Sequence, residues 1–362
     1  MNKREFLKAG LVATVATQLP IKGQAKEPVV VSVSKKKVMK NWIWINPNLK
    51  DTDEDLKTNY TAYKAAGITG IFFENDSERH FRAAKAAGIE AHRWIWTFNR
   101  AEKVADHPEW YSKSRNGDSC ADKPPYVQYY RWLCPSRPEV QEYLTSTVND
   151  ILTKDYVDGI HLDYVRYCDV ILPVNLWDKY KIEQTKELPE YDFCYCEVCQ
   201  AKFKEQYGKD IKAIQYPDAS LSWRLFRYGN IIRVVNAISA VAHQHKKPIT
   251  AAVFPTPEVA RRNVRQDWTN FKLDGVCPMI YHGFYKESVS WIGDAVAEGI
   301  HVLDGKFPLY AGLYLSDFDN DEEVRSGIQY ALKNGASGVS FFGRITPSVL
   351  DILKQESAAF KA

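Results

Sequence analysis

Short apolar segments alternate with helical segments along this chain, from residue 40 almost to the C-terminus. Eight of the apolar segments are typical of strands, and glycine follows two early helical segments at Gly67 and Gly88, where it favours a helix end. This alternation predicts a parallel sheet covered by helices. Eight strand–helix units allow the sheet to close, so the predicted fold class is α/β, a single (β/α)8 TIM barrel over residues 40–362.

A doubly wound open sheet is the alternative arrangement of the same elements. Nucleotide-binding sheets of that type carry a glycine-rich turn after strand 1. Here an Asn-Pro-Asn segment beginning at Asn46 follows that strand, so the sequence favours the barrel. Two connections are long, namely residues 99–135 after strand 3 and the Cys-containing insertion 168–217 after strand 4. Helix 5 of the barrel is predicted over residues 266–271.

The first 25 residues resemble an export signal peptide. Lys3 and Arg4 form a short basic region with a partial likeness to a twin-arginine signal, and an apolar stretch follows. The alternatives are a disordered tail or a membrane anchor. The sequence thus predicts a signal (1–25), an N-terminal segment (26–39) and a periplasmic or secreted barrel. No stretch supplies the roughly 20 apolar residues that a stable membrane span requires.

Composition bears on the kind of partner. With 48 basic and 45 acidic residues the net charge is only +3, and there is no basic stripe of the kind that binds nucleic acid. The chain is rich in aromatic residues, with 10 Trp, 21 Tyr and 16 Phe. Aromatic rings fill cores, and in a cleft they also stack on the C–H faces of sugars. A carbohydrate partner is therefore predicted, while the oligomeric state is left open.

Strand 4 is the segment around which the functional prediction is built. In a strand, successive side chains point to opposite faces, so Ile160 and Leu162 share one face while His161 and Asp163 share the other. In a parallel barrel, the carboxyl ends of the strands form the active-site face. Asp163 stands at that end and is the first candidate for a catalytic carboxylate.

Most glycoside hydrolases use two carboxyl groups, one to protonate the leaving oxygen and one to attack or to activate water. Asp163 is predicted as the nucleophile or charge-stabilising group. Asp267 is the first candidate for the acid, because Arg265 and Trp268 beside it are typical of a ligand-facing cluster. Its alternative role is a helix N-terminal carboxylate that offsets the dipole. Glu74, at the end of strand 2, is the further catalytic candidate.

Other polar and aromatic residues at predicted strand ends are candidates for substrate binding. Trp residues at spacing two on strands 1 and 3 are favoured as barrel packing, although Trp96 is kept as a binding candidate. The predicted substrate-binding set is His161, Arg166, Tyr281, His282, Asn46, Trp96, Asp317 and Arg344.

Seven cysteines add a possible structural site. The spacing of Cys194, Cys196 and Cys199, with Cys168 upstream, fits either a four-thiolate zinc site or a pair of disulfides. Either arrangement is structural, because catalytic zinc sites use fewer thiolates and keep a position for water. Cys120 and Cys134 flank one loop and are a further candidate pair. No catalytic cofactor or catalytic metal is predicted.

Several motifs resemble those of the glycosyl-hydrolase-like family 10 proteins of bacteria. They span most of the chain after the signal and follow the family order, with Cys134 as a departure from a position that is commonly polar or acidic. The matching segments are His107-Pro108-Glu109-Trp110, Trp132-Leu133-Cys134-Pro135, Pro138-Glu139-Val140, Val157 to Tyr167, Arg265-Gln266-Asp267-Trp268 and Asp274 to Tyr281.

The resemblance implies an exported glycoside hydrolase that cleaves glycosidic bonds in poly- or oligosaccharides. Strand 4 is also similar to that of the α-amylase-like enzymes, whose nucleophile would fall on Asp163. In the chitinase-like family 18 pattern a catalytic Glu would stand at Val165, so substrate-assisted chemistry of that type is disfavoured. Two alternatives stay open: a non-catalytic carbohydrate-binding barrel, and a hydrolase of amide or ester bonds in cell-wall material.

Overall fold

The computed structural model describes residues 39–360. The predicted export signal and residues 26–38 of the predicted N-terminal segment lie outside the described residues. Within the described range, no helix has both the length and the apolar character needed to cross a membrane.

Parallel strands form a ring at the centre of the described chain. Neighbouring strands pair in the order β6-β5-β4-β3-β2-β1-β8-β7, and parallel bridges from Val276 to Leu309 and from Met279 to Gly312 join the two remaining edges. This arrangement confirms the predicted (β/α)8 barrel. The strands are β1 (Asn41–Ile45), β2 (Ile68–Phe73), β3 (Glu90–Trp96), β4 (Gly159–Asp163), β5 (Ile249–Val253), β6 (Gly275–Pro278), β7 (Ala311–Tyr314) and β8 (Val339–Phe342).

Helices connect the strands, and several begin at a residue whose side chain caps the first turn. Thr52, Ser220, Asn320 and Thr346 each accept a hydrogen bond from the backbone N–H three residues later, which satisfies a donor that the helix leaves unpaired. The helices are α1 (Asp53–Ala65), α2 (Glu78–Ala86), α3 (Pro138–Leu152), α4 (Trp177–Tyr180), α5 (Glu197–Tyr207), α6 (Leu221–Gln244), α7 (Pro257–Val264), α8 (His282–Tyr285), α9 (Trp291–Leu303), α10 (Asp321–Lys333) and α11 (Pro347–Ala359).

The helix after β5 lies earlier than predicted. The expected helix over residues 266–271 is wrong, since only a short 3-10 turn forms there at Trp268–Asn270. Helix α7 precedes it because Thr256 caps its N-terminus and proline occupies the first turn. Arg265 then ends α7 in the left-handed conformation, with φ of 56°.

The interior of the barrel is filled by aromatic rings. Trp42 of β1 stacks on Phe72 of β2 with ring centroids 4.7 Å apart, and His161 of β4 lies against the same Phe72 at 3.7 Å. Ile160 and Leu162 face the opposite way and are buried in the larger core cluster. The alternation expected for strand 4 is therefore present, and the packed interior closes the barrel beneath its carboxyl-terminal face.

Gly70 in β2 provides the room that the Trp42 ring occupies. A Cβ atom at this position would lie 2.1 Å from the Trp42 ring, which is far inside van der Waals contact. We expect Gly70→Ala to destabilise the fold by roughly 1–3 kcal/mol or more, because the ring has to leave its place in a closely packed interior. Urea unfolding measures this change.

Gly229 supplies the matched control, since it lies within α6 and a Cβ there would meet nothing within 4 Å. We expect Gly229→Ala to stabilise the protein by up to about 1 kcal/mol, because alanine has the higher helix propensity. Equal effects of the two substitutions would contradict the packing described for Gly70.

Candidate active site

A cavity of about 580 Å³ opens at the carboxyl-terminal ends of the strands. Residues at or just after the ends of β1 to β4 contribute Asn46, Glu74, Trp96 and Asp163, so four neighbouring strands deliver polar or aromatic groups to one space. The remaining lining residues are mainly aromatic and include Trp44, Trp94, Tyr126, Tyr129, Tyr130, Tyr164, Phe254, Tyr281, Phe284, Tyr285, Tyr314 and Phe342.

Asp163 is the last residue of β4, and its carboxylate is held by two N–H donors. The indole Nε1 of Trp94 donates to Oδ2 at 3.1 Å, and the backbone N–H of Tyr164 donates to Oδ1 at 2.6 Å. Burial raises the pKa of Asp163 to about 6, against the lowering effects of these donors and of Arg166. The carboxyl group is therefore poised to change protonation in mildly acidic to neutral solution.

Glu74 lies directly after β2 and lines the same cavity. Burial raises its pKa, while Arg93 and the nearby Trp96 indole lower it. The Trp96 Nε1 is not aligned for a hydrogen bond with any group in the described structure. The negative charge of Glu74 also contributes to the raised pKa of Asp163, so the two carboxyl groups lie close enough to influence each other.

The chain turns sharply after Asp163. Tyr164 adopts the left-handed conformation with φ of 47°, which is unusual for a residue other than glycine and is concentrated at functional sites. The turn brings the Tyr164 N–H back onto the Asp163 carboxylate and sets its ring against Trp96, with centroids 4.7 Å apart. A strained backbone thus orients both the carboxylate and one wall of the cavity.

Arg166 lines the cavity in a cage of aromatic rings. Its guanidinium lies 4.8 Å from the Trp132 ring centroid and 5.0 Å from that of Phe254, and it donates to Asp169 Oδ2 at 2.9 Å. The same Arg166 nitrogen also donates to the Tyr167 carbonyl at 3.0 Å, so it is committed to the protein. Its positive charge nevertheless favours the ionised form of Asp163.

An aromatic wall stands on the β6–β8 side. The ring of Tyr281 lies nearly parallel to that of Phe342, with centroids 6.1 Å apart, and 5.5 Å from that of Tyr314. Burial and the charge of Asp163 raise the pKa of Tyr281, so its hydroxyl keeps its proton. On the opposite side Asn46 accepts a hydrogen bond from Asn75 at 2.8 Å.

His161 does not line the cavity, which does not support its predicted role in substrate binding. Its Nε2 accepts a hydrogen bond from Trp44 at 2.9 Å, and its Nδ1 lies 2.8 Å from the Thr250 hydroxyl. Burial holds the pKa of His161 well below its usual range. It is a neutral packing residue that positions Trp44, which does line the cavity.

Asp267 also lies away from the cavity lining, so the geometry does not support it as the acid. Its carboxylate accepts hydrogen bonds from Arg261 at 3.0 Å and from Asn270 at 2.7 Å. These partners belong to α7 and to the short turn at Trp268–Asn270, where Asp267 stabilises the local backbone. The adjacent Arg and Trp that favoured it in the sequence are both buried.

Three further predicted residues are absent from the lining. His282 is buried against the Phe318 ring, and Asp317 accepts a hydrogen bond from the Gly283 N–H at 3.1 Å. Arg344 is exposed after β8. Four of the eight predicted binding candidates therefore line the cavity, namely Asn46, Trp96, Arg166 and Tyr281. The other four, His161, His282, Asp317 and Arg344, do not.

The residues that the sequence did not single out come largely from the two long connections. Residues 99–135 contribute Tyr126, Tyr129 and Tyr130, and the insertion contributes Asp169, Leu172, Pro173, Leu176, Lys179 and Tyr180. Trp94, expected to pack the barrel, also donates to Asp163. In the sequence, Trp94 is marked only by its spacing of two from Trp96. The register that pairs Trp96 of β3 with Asp163 of β4 is what brings Trp94 to the Asp163 carboxylate.

The cysteine cluster differs from the predicted set by one member. Cys134, Cys194, Cys196 and Cys199 are buried together, and Cys134 takes the place predicted for Cys168. Cys120 and Cys134 form no disulfide, since all seven cysteines are free thiols in the structure. Cys134 joins the cluster because residues 99–135 fold back onto the insertion, and spacing along the chain does not reveal that contact.

The sequence profile of the family described as Glycosyl hydrolase-like 10 matches residues 81–303, which include β3 to α9 and therefore Asp163. The chain belongs to the glycosyl hydrolase-like 10 family. Glu74 lies before the matched segment, so its assignment rests on the geometry of the cavity. No curated protein sequence matches the chain.

Solved glycosidase structures share the fold of this family member at low sequence identity. The glycoside hydrolase domain of PgaB (BpsB) from Bordetella bronchiseptica aligns with a TM-score of 0.63 at 12% identity, covering 89% of this chain and 97% of that one. The β-amylase catalytic domain from Paenibacillus polymyxa gives 0.59 at 11%, covering 88% and 97%. The β-galactosidase from Halorubrum lacusprofundi gives 0.64 at 12%, covering 89% of this chain but 58% of the enzyme.

The raised pKa of Asp163 has a consequence for stability. A carboxyl group whose pKa is about 6 in the folded protein and near 4 in the unfolded chain contributes stability that is lost as the pH rises through 6. Replacing it with Asn removes this loss. We expect the stability of Asp163→Asn relative to wild type to increase by up to about 3 kcal/mol between about pH 4 and pH 8.

Urea unfolding at several pH values measures this difference. Glu205→Gln is the matched control, because Glu205 is exposed on α5 and lies in no ion pair of the described structure. The pH dependence of the Asp163→Asn difference is compared with that of this control. A difference in stability between Asp163→Asn and wild type that does not change with pH would contradict a buried carboxyl group with a raised pKa.

Proposed function

We propose that this family member is a glycoside hydrolase that cleaves poly- or oligosaccharides with Asp163 and Glu74 as its two carboxyl groups. The observation that carries the proposal is that both carboxyl groups line one cavity and both have raised pKa values. Most glycosidases require such a pair on the two sides of the bond that is cleaved. When the surroundings of the two carboxyl groups hold their pKa values apart, one group can act as the acid and the other as the base.

The hydrogen bonds favour Asp163 as the ionised member of the pair. Two N–H donors and the nearby Arg166 stabilise its negative charge, whereas Glu74 has beside it only the charge of Arg93 and the Trp96 indole, which is not aligned for a hydrogen bond. Asp163 would attack the anomeric carbon, activate water or stabilise the positive charge that develops there. Glu74 would hold the proton that passes to the leaving oxygen.

The cavity is suited to a sugar in its size and its lining. Its volume of about 580 Å³ falls within the usual range of small-ligand sites. Trp96 and Tyr281 present rings toward the space and would stack on the C–H faces of a pyranose, while Asn46 would bind a hydroxyl. The export signal predicted at the N-terminus supports action in the periplasm or outside the cell.

Substitution of either carboxyl group tests the proposal on a panel of glycans with product detection. We expect Asp163→Asn and Glu74→Gln each to lower kcat by at least about 100-fold, because each removes a group that acts in the transition state. Asp267→Asn is the matched control, since that carboxylate lies outside the cavity, and it should keep near wild-type kcat.

Three results would overturn the assignment. Full activity of a folded Asp163→Asn variant would exclude its role. Glycan binding without product from the wild-type protein, detected as a rise in Tm, would favour the non-catalytic binding barrel instead. Product from an amide or ester substrate alone would favour the cell-wall hydrolase.

The pKa of Asp163 also predicts the pH profile. The reaction needs one proton on the pair, and the charge of Glu74 contributes to the pKa of about 6 at Asp163. We therefore expect kcat/KM to fall as the pH rises above about 6, where the pair loses that proton, and to fall again in acid, where both carboxyl groups are protonated. Glu74→Gln should remove the decrease above about pH 6 from its residual activity. The pH dependence of kcat/KM for both proteins checks this, and a wild-type kcat/KM that stays constant up to about pH 8 would contradict it.

A further inference from the structure

Four of the cysteines form a compact sulfur cluster outside the lining of the cavity. Every Sγ atom of Cys134, Cys194, Cys196 and Cys199 lies within 4.8 Å of the others, and all four side chains are buried. The Sγ of Cys134 is 3.6 Å from that of Cys196 and 3.5 Å from that of Cys199. Each sulfur thus faces three others around a common centre.

This arrangement fits a tetrahedral ion better than two separate disulfides. Four sulfurs bound to zinc at about 2.3 Å lie roughly 3.8 Å from one another, which is close to the separations in the cluster. Disulfides would draw the sulfurs together in two pairs, whereas Cys134 here lies equally close to two partners. Thiolate ligands select zinc or iron over the hard cations, and four of them leave no position for water.

Groups around the cluster suit a negatively charged centre. Four thiolates and one divalent ion carry a net charge of −2, and the buried guanidinium of Arg137 lies near Cys134 and Cys196. Its Nε has no hydrogen-bond partner among the described residues, although it is buried. Arg137 also pairs with Glu197, so part of its charge is already balanced.

Further donors come from the backbone and from the start of a helix. The backbone N–H of Lys113 points to the Cys194 Sγ at 3.4 Å, and the Ser136 hydroxyl lies 3.1 Å from the Cys199 Sγ. Cys196 is the N-cap of α5, whose N-terminal dipole favours negative charge. The outer contacts thus resemble those that orient the ligands of a metal site.

We propose that Cys134, Cys194, Cys196 and Cys199 bind one structural zinc ion that fastens the β3–α3 connection to the insertion after β4. Cys134 ends the first segment, and the other three cysteines belong to the second. Both segments also supply walls of the cavity, and they meet where the Tyr126 ring stacks on Tyr191 at 4.2 Å. The ion would therefore fix the shape of the cavity without taking part in the reaction.

Metal analysis of the full-length protein, purified without chelators, tests the site. We expect one zinc per chain, with loss of the metal in Cys196→Ala and Cys199→Ala. Cys168→Ala is the matched control, because Cys168 is equally buried but lies outside the cluster, and it should keep the metal. Protein produced in cobalt-supplemented medium should show the sulfur-to-cobalt charge-transfer bands of a tetrahedral thiolate site.

The wild-type measurements decide the question even where a cysteine variant fails to fold. Absence of metal together with disulfides among these four cysteines in peptide mass spectrometry would overturn the proposal. Iron in place of zinc, or cobalt bands that persist in Cys196→Ala, would overturn it as well. Because metal content does not depend on glycan cleavage, this result is independent of the proposed activity.

Discussion

The function proposed for the end of β4 depends on one interaction, the hydrogen bonding of the buried Asp163 carboxylate by two N–H donors. The low polarity around it raises the pKa, and the Trp94 indole and the Tyr164 backbone N–H prevent a larger rise. Without these donors, the pKa of the buried carboxyl group would be higher still. With them, the group can be ionised at neutral pH and still respond to a charge that develops nearby.

The packed barrel beneath the cavity holds Asp163 and its neighbours in fixed positions. Trp42, Phe72 and His161 pack against one another in the interior, and Trp44 is held by its hydrogen bond to His161. Closely packed rings resist displacement. The strands therefore set the position of the carboxyl groups, while the long connections after β3 and β4 add the outer aromatic walls.

The sequence predicted the features that depend on local pattern. Alternation of strands and helices indicated the barrel, and the two-residue period of β4 placed Asp163 opposite Ile160 and Leu162. It did not predict contacts that depend on register or on the folding of long loops. The pairing of Trp96 with Asp163, and the approach of Cys134 to the other cysteines, follow from tertiary structure alone.

The choice of the second carboxyl group shows the same limit. Asp267 was favoured by its neighbours in sequence, yet Arg261 and Asn270 bind its carboxylate away from the cavity. Glu74 had no distinctive neighbours, but its place after β2 brings it to the cavity because all parallel strands end on one face. Position within the barrel was the better guide than local composition.

Direct titration of the Asp163 carboxyl carbon by 13C NMR tests the central claim, that this group is buried and faces Glu74. Selective aspartate labelling, with assignment from the signal missing in Asp163→Asn, isolates its resonance. We predict a midpoint of about 6 that moves to lower pH in Glu74→Gln, because a facing negative charge has been removed. A midpoint near 4 that does not change in Glu74→Gln would contradict the account.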